Sequence, residues 1–191
     1  MDILSTANYT ISKAKGSQLP EILSFLLENF DKEETMMKSL RANNEISEEE
    51  NENGETDGVV AIFKENAPKT RLEKEYFEYL SEIGEKADLY ERFPRAKAAL
   101  EFYAVAVDRN HRGKGIATML MSDGISYAKS LENIGFVFGV YTSVFSKKAA
   151  EKLGLRSVLD VDLLTLKDKD GTPVFQDTPP HNIVSVMVLE I

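Results

Sequence analysis

Between residues 100 and 141 an apolar run, a glycine turn, an amphipathic run and a second apolar run follow one another without a break. Leu100 to Val107 is mostly β-branched or aromatic, the pattern of a central strand covered on both faces. After Arg112-Gly113-Lys114-Gly115-Ile116-Ala117, the residues Ile116, Leu120, Gly124, Ala128 and Leu131 recur at helical spacing, and Ile134 to Tyr141 reads as another buried strand. A strand that enters a helix through such a turn aims unpaired backbone N–H groups and the positive end of the helix dipole at one point. That point suits an anion. Glycines at 113 and 115 let the backbone approach a ligand without a Cβ, and Ala117 keeps the helix close. The same residues also make a tight turn that binds nothing.

The flanking segments extend an alternation of strands and helices. Tyr9 to Ile11 reads as a short strand, and Leu19 to Phe30 as a helix with Pro20 in its first turn. Met36 to Arg41 reads as a short helix, Asn43 to Asp57 as a polar loop, and Gly58 to Phe63 as a strand. Leu72, Tyr76, Tyr79, Leu80 and Ile83 mark an amphipathic helix from Thr70 to Gly84, followed by a second helical piece near Lys86 to Tyr90. Ser146 to Leu153 forms a helix closed by Gly154, and Leu163 to Leu166 and Ile183 to Leu189 are final strands around a turn at Asp170-Gly171. The order predicts a single α/β (α+β) domain over residues 1–191.

With 191 residues the chain can bury one substantial core. It has no cysteine, which excludes disulfides, thiolate metal ligands and cysteine nucleophiles. The net charge of −9 repels nucleic acid and attracts small cations. It also repels a polyphosphate, so a phosphate site needs backbone amides together with a local cation such as Arg112 or Lys114. No apolar run reaches the roughly 20 residues that cross a bilayer, and the first residues lack a leader pattern. A cytoplasmic protein without membrane partner is expected, either a monomer or a weak homodimer.

Two other phosphate loops fail here. A Walker loop requires Ser or Thr after its lysine, where Gly115 stands, and the dinucleotide fingerprint requires Gly or Ala where Thr118 stands. The spacing Arg112, Gly115, Ala117 after an apolar strand instead resembles the signature of the GNAT acetyltransferase superfamily. Lys152-Leu153-Gly154-Leu155 is similar to that family's Lys-Leu-Gly-Phe helix end. Within the superfamily, four segments resemble the invertebrate arylalkylamine N-acetyltransferases: Val107 to Ala117; Tyr141 to Ser146 leading to Gly154; Thr165 to Phe175; and Pro180 to Ile183. Phe30 to Thr35 resembles their Phe-Phe-Lys-Asp-Glu-Pro segment. Many superfamily members carry a tyrosine acid where Ala150 stands here.

The resemblance implies a GNAT fold, a central, mixed but mostly antiparallel sheet flanked by helices, with acetyl-CoA as cosubstrate and no metal. It assigns the pantetheine to the backbone of Val105, Ala106 and Val107, and the diphosphate to Arg112, Gly113, Lys114, Gly115, Ile116 and Ala117. It makes Glu34 the base, acting through water, and puts the hydroxyls of Thr142 and Ser146 near the thioester. Thr142 departs from the serine of that family. Acetylation of an amine needs both proton movements, loss from the ammonium and gain by the leaving thiolate.

Each residue has a plainer reading. Glu34 lies in an acidic stretch, Ser146 caps a helix, Thr142 ends a strand, and His181, at the matching Pro-His position, is either structural or an aid to proton transfer. Tyr76, Tyr79, Tyr90 and Phe93 line an acceptor pocket or belong to the core. Between Arg41 and Gly58 the chain is polar where the family has a further strand. The expected activity is acetyl transfer to the primary amine of a small molecule, an arylalkylamine or related amine. The alternatives are acetylation of a protein or peptide amine, or CoA binding by a regulator without catalysis.

Overall fold

The computed structural model describes residues 9–30, 34–40 and 71–191. Helix α1 (Leu19–Asn29) carries Pro20 in its first turn, and α2 (Thr35–Ser39) follows. Helix α3 (Arg71–Ala87) runs one turn past its expected end. Gly84 stays helical, and the break comes at Asp88, which adopts a left-handed conformation with φ 46° before α4 (Leu89–Arg92). Strand β1 (Ala98–Glu101), helix α5 (Ile116–Lys129), β2 (Ile134–Tyr141), α6 (Val144–Lys152), β3 (Arg156–Asp162) and β4 (Ile183–Glu190) complete the order. No described helix is long and apolar enough to cross a membrane.

The described strands form one sheet in the order β1-β2-β4-β3. β1 is parallel to β2, whereas β4 is antiparallel to both β2 and β3. The crossover from β1 to β2 therefore passes through α5, as a parallel pair requires. The sheet is mixed and mostly antiparallel, with helices on its faces, which bears out the expected architecture.

Alternation along the strands divides the core in two. On one face Val184 and Val186 of β4 pack with Met36 and Leu40, with Tyr76, Ile83 and Ala87 of α3, and with Val174 and Phe175. On the other, Val137 and Tyr141 of β2 and Met187 of β4 pack with Met121, Ile125 and Ala128 of α5 and Ala150 of α6. Each fully buried aliphatic or aromatic side chain stabilises the fold by about 1.5–3 kcal/mol, so the residues that hold the helices in place also hold whatever the helices present.

Several expected elements fall elsewhere. Among the described residues, the strand placed at Leu100 to Val107 makes a ladder over Ala98–Glu101, ending with Phe102 N–H donating to the carbonyl of Phe138 at 2.8 Å. Leu163 to Thr165 is a 3-10 turn rather than a strand, because Asp162 accepts the amide of Leu164 at 3.0 Å and the Thr165 hydroxyl donates back to the Asp162 carbonyl at 2.7 Å. The strand beside β4 is Arg156–Asp162, whose charges break the apolar pattern. Tyr9 to Ile11 has no ladder partner among the described residues; the Tyr9 hydroxyl lies 2.8 Å from His111 Nδ1. The segments Asn43 to Asp57 and Gly58 to Phe63 lie outside the described residues.

Candidate active site

Beyond Phe102 no ladder hydrogen bond joins the chain to β2 among the described residues, and a gap opens between residues 102–107 and the end of β2. Gly139 stands where they part. A Cβ there would lie 3.1 Å from the Phe102 carbonyl oxygen and 3.1 Å from the Tyr141 ring. The gap continues into a cavity of ≈ 1410 Å³.

The turn between β1 and α5 forms part of the wall of this cavity. Asp108 caps a 3-10 turn by accepting the amide of Asn110 at 2.8 Å, and the chain then reaches Gly113 with φ 75° and Gly115 with φ 77°. A Cβ on Gly113 would meet nothing within 4 Å, so its backbone faces open space. Gly115 is the N-cap of α5, and the first-turn amides that follow have no partner inside the helix. Gly113, Gly115, Ile116, Ala117, Arg112, Val105 and Val107 all line the cavity, whereas Ala106 and Lys114 are not on its wall. Lys114 Nζ donates to the carbonyl of Asn110 at 3.0 Å. Arg112 donates through Nε to the Val107 carbonyl at 2.9 Å and through Nη2 to the carbonyl of Asn29, the last residue of α1, at 3.3 Å. It ties the turn to the helix that leads toward Glu34.

Glu34 lines the same cavity and is 5% exposed. It precedes α2, which is fastened to the loop before β4 by the Leu40–Phe175 bridge and by the Gln176 amide donating to the Ser39 carbonyl at 2.6 Å. Thr142 and Ser146 lie on the wall at the start of α6. The N-cap of α6 is Ser143, not Ser146: Ser143 Oγ accepts the amides of Phe145 at 3.2 Å and Ser146 at 3.4 Å. Ser146 sits in the first turn and its hydroxyl donates to the Ser143 carbonyl at 3.0 Å. Cap and dipole together present the positive end of α6. His181 lines the cavity and accepts the Val144 amide at Nδ1, 3.3 Å away, so it steadies the same helix start.

Three wall residues escaped the sequence reading. Tyr141 and Thr178 are 5% and 1% exposed, and neither hydroxyl has a hydrogen-bond partner among the described residues. Burial pushes the Tyr141 phenol above its ordinary range. Glu101 closes β1 as a lone charge in an apolar strand, the signal that could have found it, and partial burial raises its carboxyl above the usual value. Of the four aromatics proposed for a pocket, only Tyr76 reaches the wall. Tyr79 packs on Phe175, and Tyr90 and Phe93 pack on Phe136. Phe77 and Phe138 line the cavity instead. No group of metal-ligating side chains occurs among the described residues.

Residues 87–155 match the acetyltransferase (GNAT) family. The fold is similar to that of a mosquito arylalkylamine N-acetyltransferase like 5b, with a TM-score of 0.74 at 20% identity, covering 93% of this chain and 97% of that one. It is similar to arylalkylamine N-acetyltransferase 2 from Aedes aegypti, with a TM-score of 0.77 at 18% identity over 96% and 99% of the two chains. A Drosophila melanogaster polyamine N-acetyltransferase, which forms N-acetylagmatine, gives a TM-score of 0.71 at 19% identity over 95% and 99%.

Proposed function

We propose that this chain, whose residues 87–155 match the acetyltransferase (GNAT) family, transfers acetyl directly from acetyl-CoA to the primary amine of a small molecule, an arylalkylamine or related amine. The observation that supports this reading is a cavity whose wall includes the glycine turn at Gly113 and Gly115, a buried carboxylate, Glu34, and two hydroxyl residues, Thr142 and Ser146. Proteins of the same fold act on amines of that size by name.

The residues fit the cosubstrate. The open backbone at Gly113 and the first-turn amides of α5 suit a diphosphate, and the segment Val105 to Val107, without a ladder partner among the described residues, leaves backbone groups for the pantetheine amides. Bound acetyl-CoA supplies a thioester whose carbonyl carbon takes the amine nitrogen as its C–S bond breaks. Glu34 accepts the proton that the ammonium gives up, directly or across one water. The N-terminus of α6, capped by Ser143, stabilises the negative charge left on sulfur. The proton that the acylated nitrogen still has to lose passes to that sulfur, relayed by the hydroxyls of Thr142 and Ser146, each giving one proton and taking one; Ser146 rotates its own from the Ser143 carbonyl to do so. Ala150 is 0% exposed and carries no acid, so the hydroxyl residues serve in its place.

Glu34→Gln tests this directly. Turnover is expected to fall about 10²–10⁴-fold, the range for loss of a positioned base, with its acid limb displaced and CoA affinity changed less than threefold. Turnover within a factor of three of wild type removes Glu34 as the base.

A further inference from the structure

A phenol on the cavity wall is held out of water without a hydrogen bond. Tyr141 is 5% exposed, closes β2 and packs with Met121 of α5 and Ala150 of α6, so its ring has fixed neighbours on the face those helices cover. Its hydroxyl has no partner among the described residues, and leaving a buried hydroxyl unmatched opposes folding.

Gly139 fixes where that hydroxyl lies. A Cβ on Gly139 would stand 3.1 Å from Cε2 and 3.2 Å from Cζ of Tyr141, so the ring folds back along β2 and its hydroxyl-bearing end rests against the glycine. The same Cβ would stand 3.1 Å from the Phe102 carbonyl oxygen. Among the described residues Phe102 is where the ladder to β2 ends: its N–H donates to the Phe138 carbonyl at 2.8 Å, and the chain then parts from the sheet. β2 itself stays in register with β4 as far as Tyr141 and Ser185. The phenol therefore lies at the inner end of the gap between residues 102–107 and β2, and the next residue, Thr142, lies on the cavity wall at the start of α6.

A donor at the closed end of a gap suits an acceptor on the molecule that enters it. In the acetyl-transfer reading, on which this inference rests, the cosubstrate runs from the glycine turn along Val105 to Val107 and its sulfur lies by Thr142 and Ser146. The acyl group is its terminus, and the one polar atom there is a carbonyl oxygen, which only accepts. Burial pushes the Tyr141 phenol above its ordinary range, so it stays a protonated donor.

We propose that Tyr141 is a further catalytic residue, whose hydroxyl donates to the carbonyl oxygen of the acyl group. The bond strengthens as that oxygen gains negative charge during attack by the amine, and the phenol keeps its proton throughout. Thr142 and Ser146 serve the sulfur, and Tyr141 serves the oxygen.

The test uses two ligands that differ in that oxygen: acetyl-CoA and ethyl-CoA, the thioether with a methylene in place of the carbonyl. Calorimetric Kd values without amine, in wild type and Tyr141→Phe, read the contact apart from the chemistry. Wild type is expected to bind acetyl-CoA about fivefold more tightly than ethyl-CoA, the size of one neutral hydrogen bond. Tyr141→Phe is expected to bind the two alike, with no loss of ethyl-CoA affinity and no fall in the Tm of the free protein. With an amine present its kcat is expected to fall about 10²-fold. No preference in wild type, the same preference in Tyr141→Phe, or an equal loss of affinity for acetyl-CoA, ethyl-CoA and CoA overturns the inference. So does a lower Tm of the free variant, since the hydroxyl then has a partner without ligand, or a kcat within a factor of three of wild type. A preference that disappears in Tyr141→Phe while neither protein acetylates any amine upholds the carbonyl contact and overturns acetyl transfer instead.

Discussion

Replacing Thr178 with valine is expected to stabilise the protein while weakening its function. Thr178 is 1% exposed, and its hydroxyl has no hydrogen-bond partner among the described residues. Its backbone is well held: the Thr178 carbonyl accepts the His181 amide at 2.6 Å, and the neighbouring Gln176 amide is bound to Ser39. Valine keeps the branched shape and exchanges only the hydroxyl for a methyl. An unmatched buried polar group costs about 1–3 kcal/mol, and relief of the lower part of that range, about 1–2 kcal/mol, is expected. For a chain of this length each kcal/mol moves Tm by about 2–4 °C, so Thr178→Val should raise Tm by roughly 2–8 °C. Differential scanning calorimetry of the ligand-free protein measures it, and a urea titration should show a higher midpoint at the same slope. The same substitution should raise KM for the amine, because the hydroxyl is kept unmatched for a ligand. Tyr141→Phe is expected to shift Tm in the same direction. A fall in Tm for Thr178→Val refutes the reasoning, since it means the hydroxyl is already satisfied without a ligand.

Two further substitutions probe the frame of the site. At Asp160, burial raises the carboxyl, but hydrogen bonds from Ser185 at 2.5 Å, Lys147 at 3.1 Å and Ser157 at 2.9 Å, with the Lys147 charge, outweigh it and hold the group below its ordinary value. A lowered folded-state value contributes stability that is complete above the ordinary value near 3.8 and is lost as the pH falls through the lowered one. Asp160→Asn should therefore lower Tm at pH 7 and converge on wild type below about pH 4 in a Tm series; a constant difference contradicts this. At Gly124 in α5, a Cβ would lie 2.5 Å from Cε1 of Phe102, whose ring lines the cavity. Gly124→Ala sets about 1 kcal/mol of helix propensity against about 1–3 kcal/mol of overpacking. Tm should hold or fall, and the acetyl-CoA KM should rise as the ring turns into the gap; a higher Tm with unaltered KM counts against the packing.

The parts legible in the sequence are those whose local pattern and tertiary role coincide. Ile134 to Tyr141 is apolar because it is central, and its strand begins and ends where the pattern does. The glycines at 113 and 115 mark positive φ in a turn, a requirement that local sequence expresses directly. β3 was hidden because an edge strand tolerates charge: Arg156 and Asp160 lie along it, and Asp160 is bound by side chains distant in sequence. Leu163 to Leu166 looked like a strand until Asp162 capped it into a 3-10 turn. The anchor at Arg112 shows the same limit. Its charge suggests a phosphate partner, while its bonds to the backbone carbonyls of Val107 and of Asn29, 83 residues away in α1, appear only in three dimensions. Thr178 and Tyr141 carry no sequence signal, since a hydroxyl reveals its lack of a partner only once its surroundings are folded.

The central claim is that one cavity joins an acetyl-CoA cradle to a small-amine site. Its most direct measurement is thiol release from acetyl-CoA against a panel of arylalkylamines, alkyl diamines, aminoguanidines and short peptides, with the acetylated product identified by mass. The account predicts saturable, amine-dependent release with at least one small amine and far slower release with peptides. Tight CoA binding without release for any amine would contradict it.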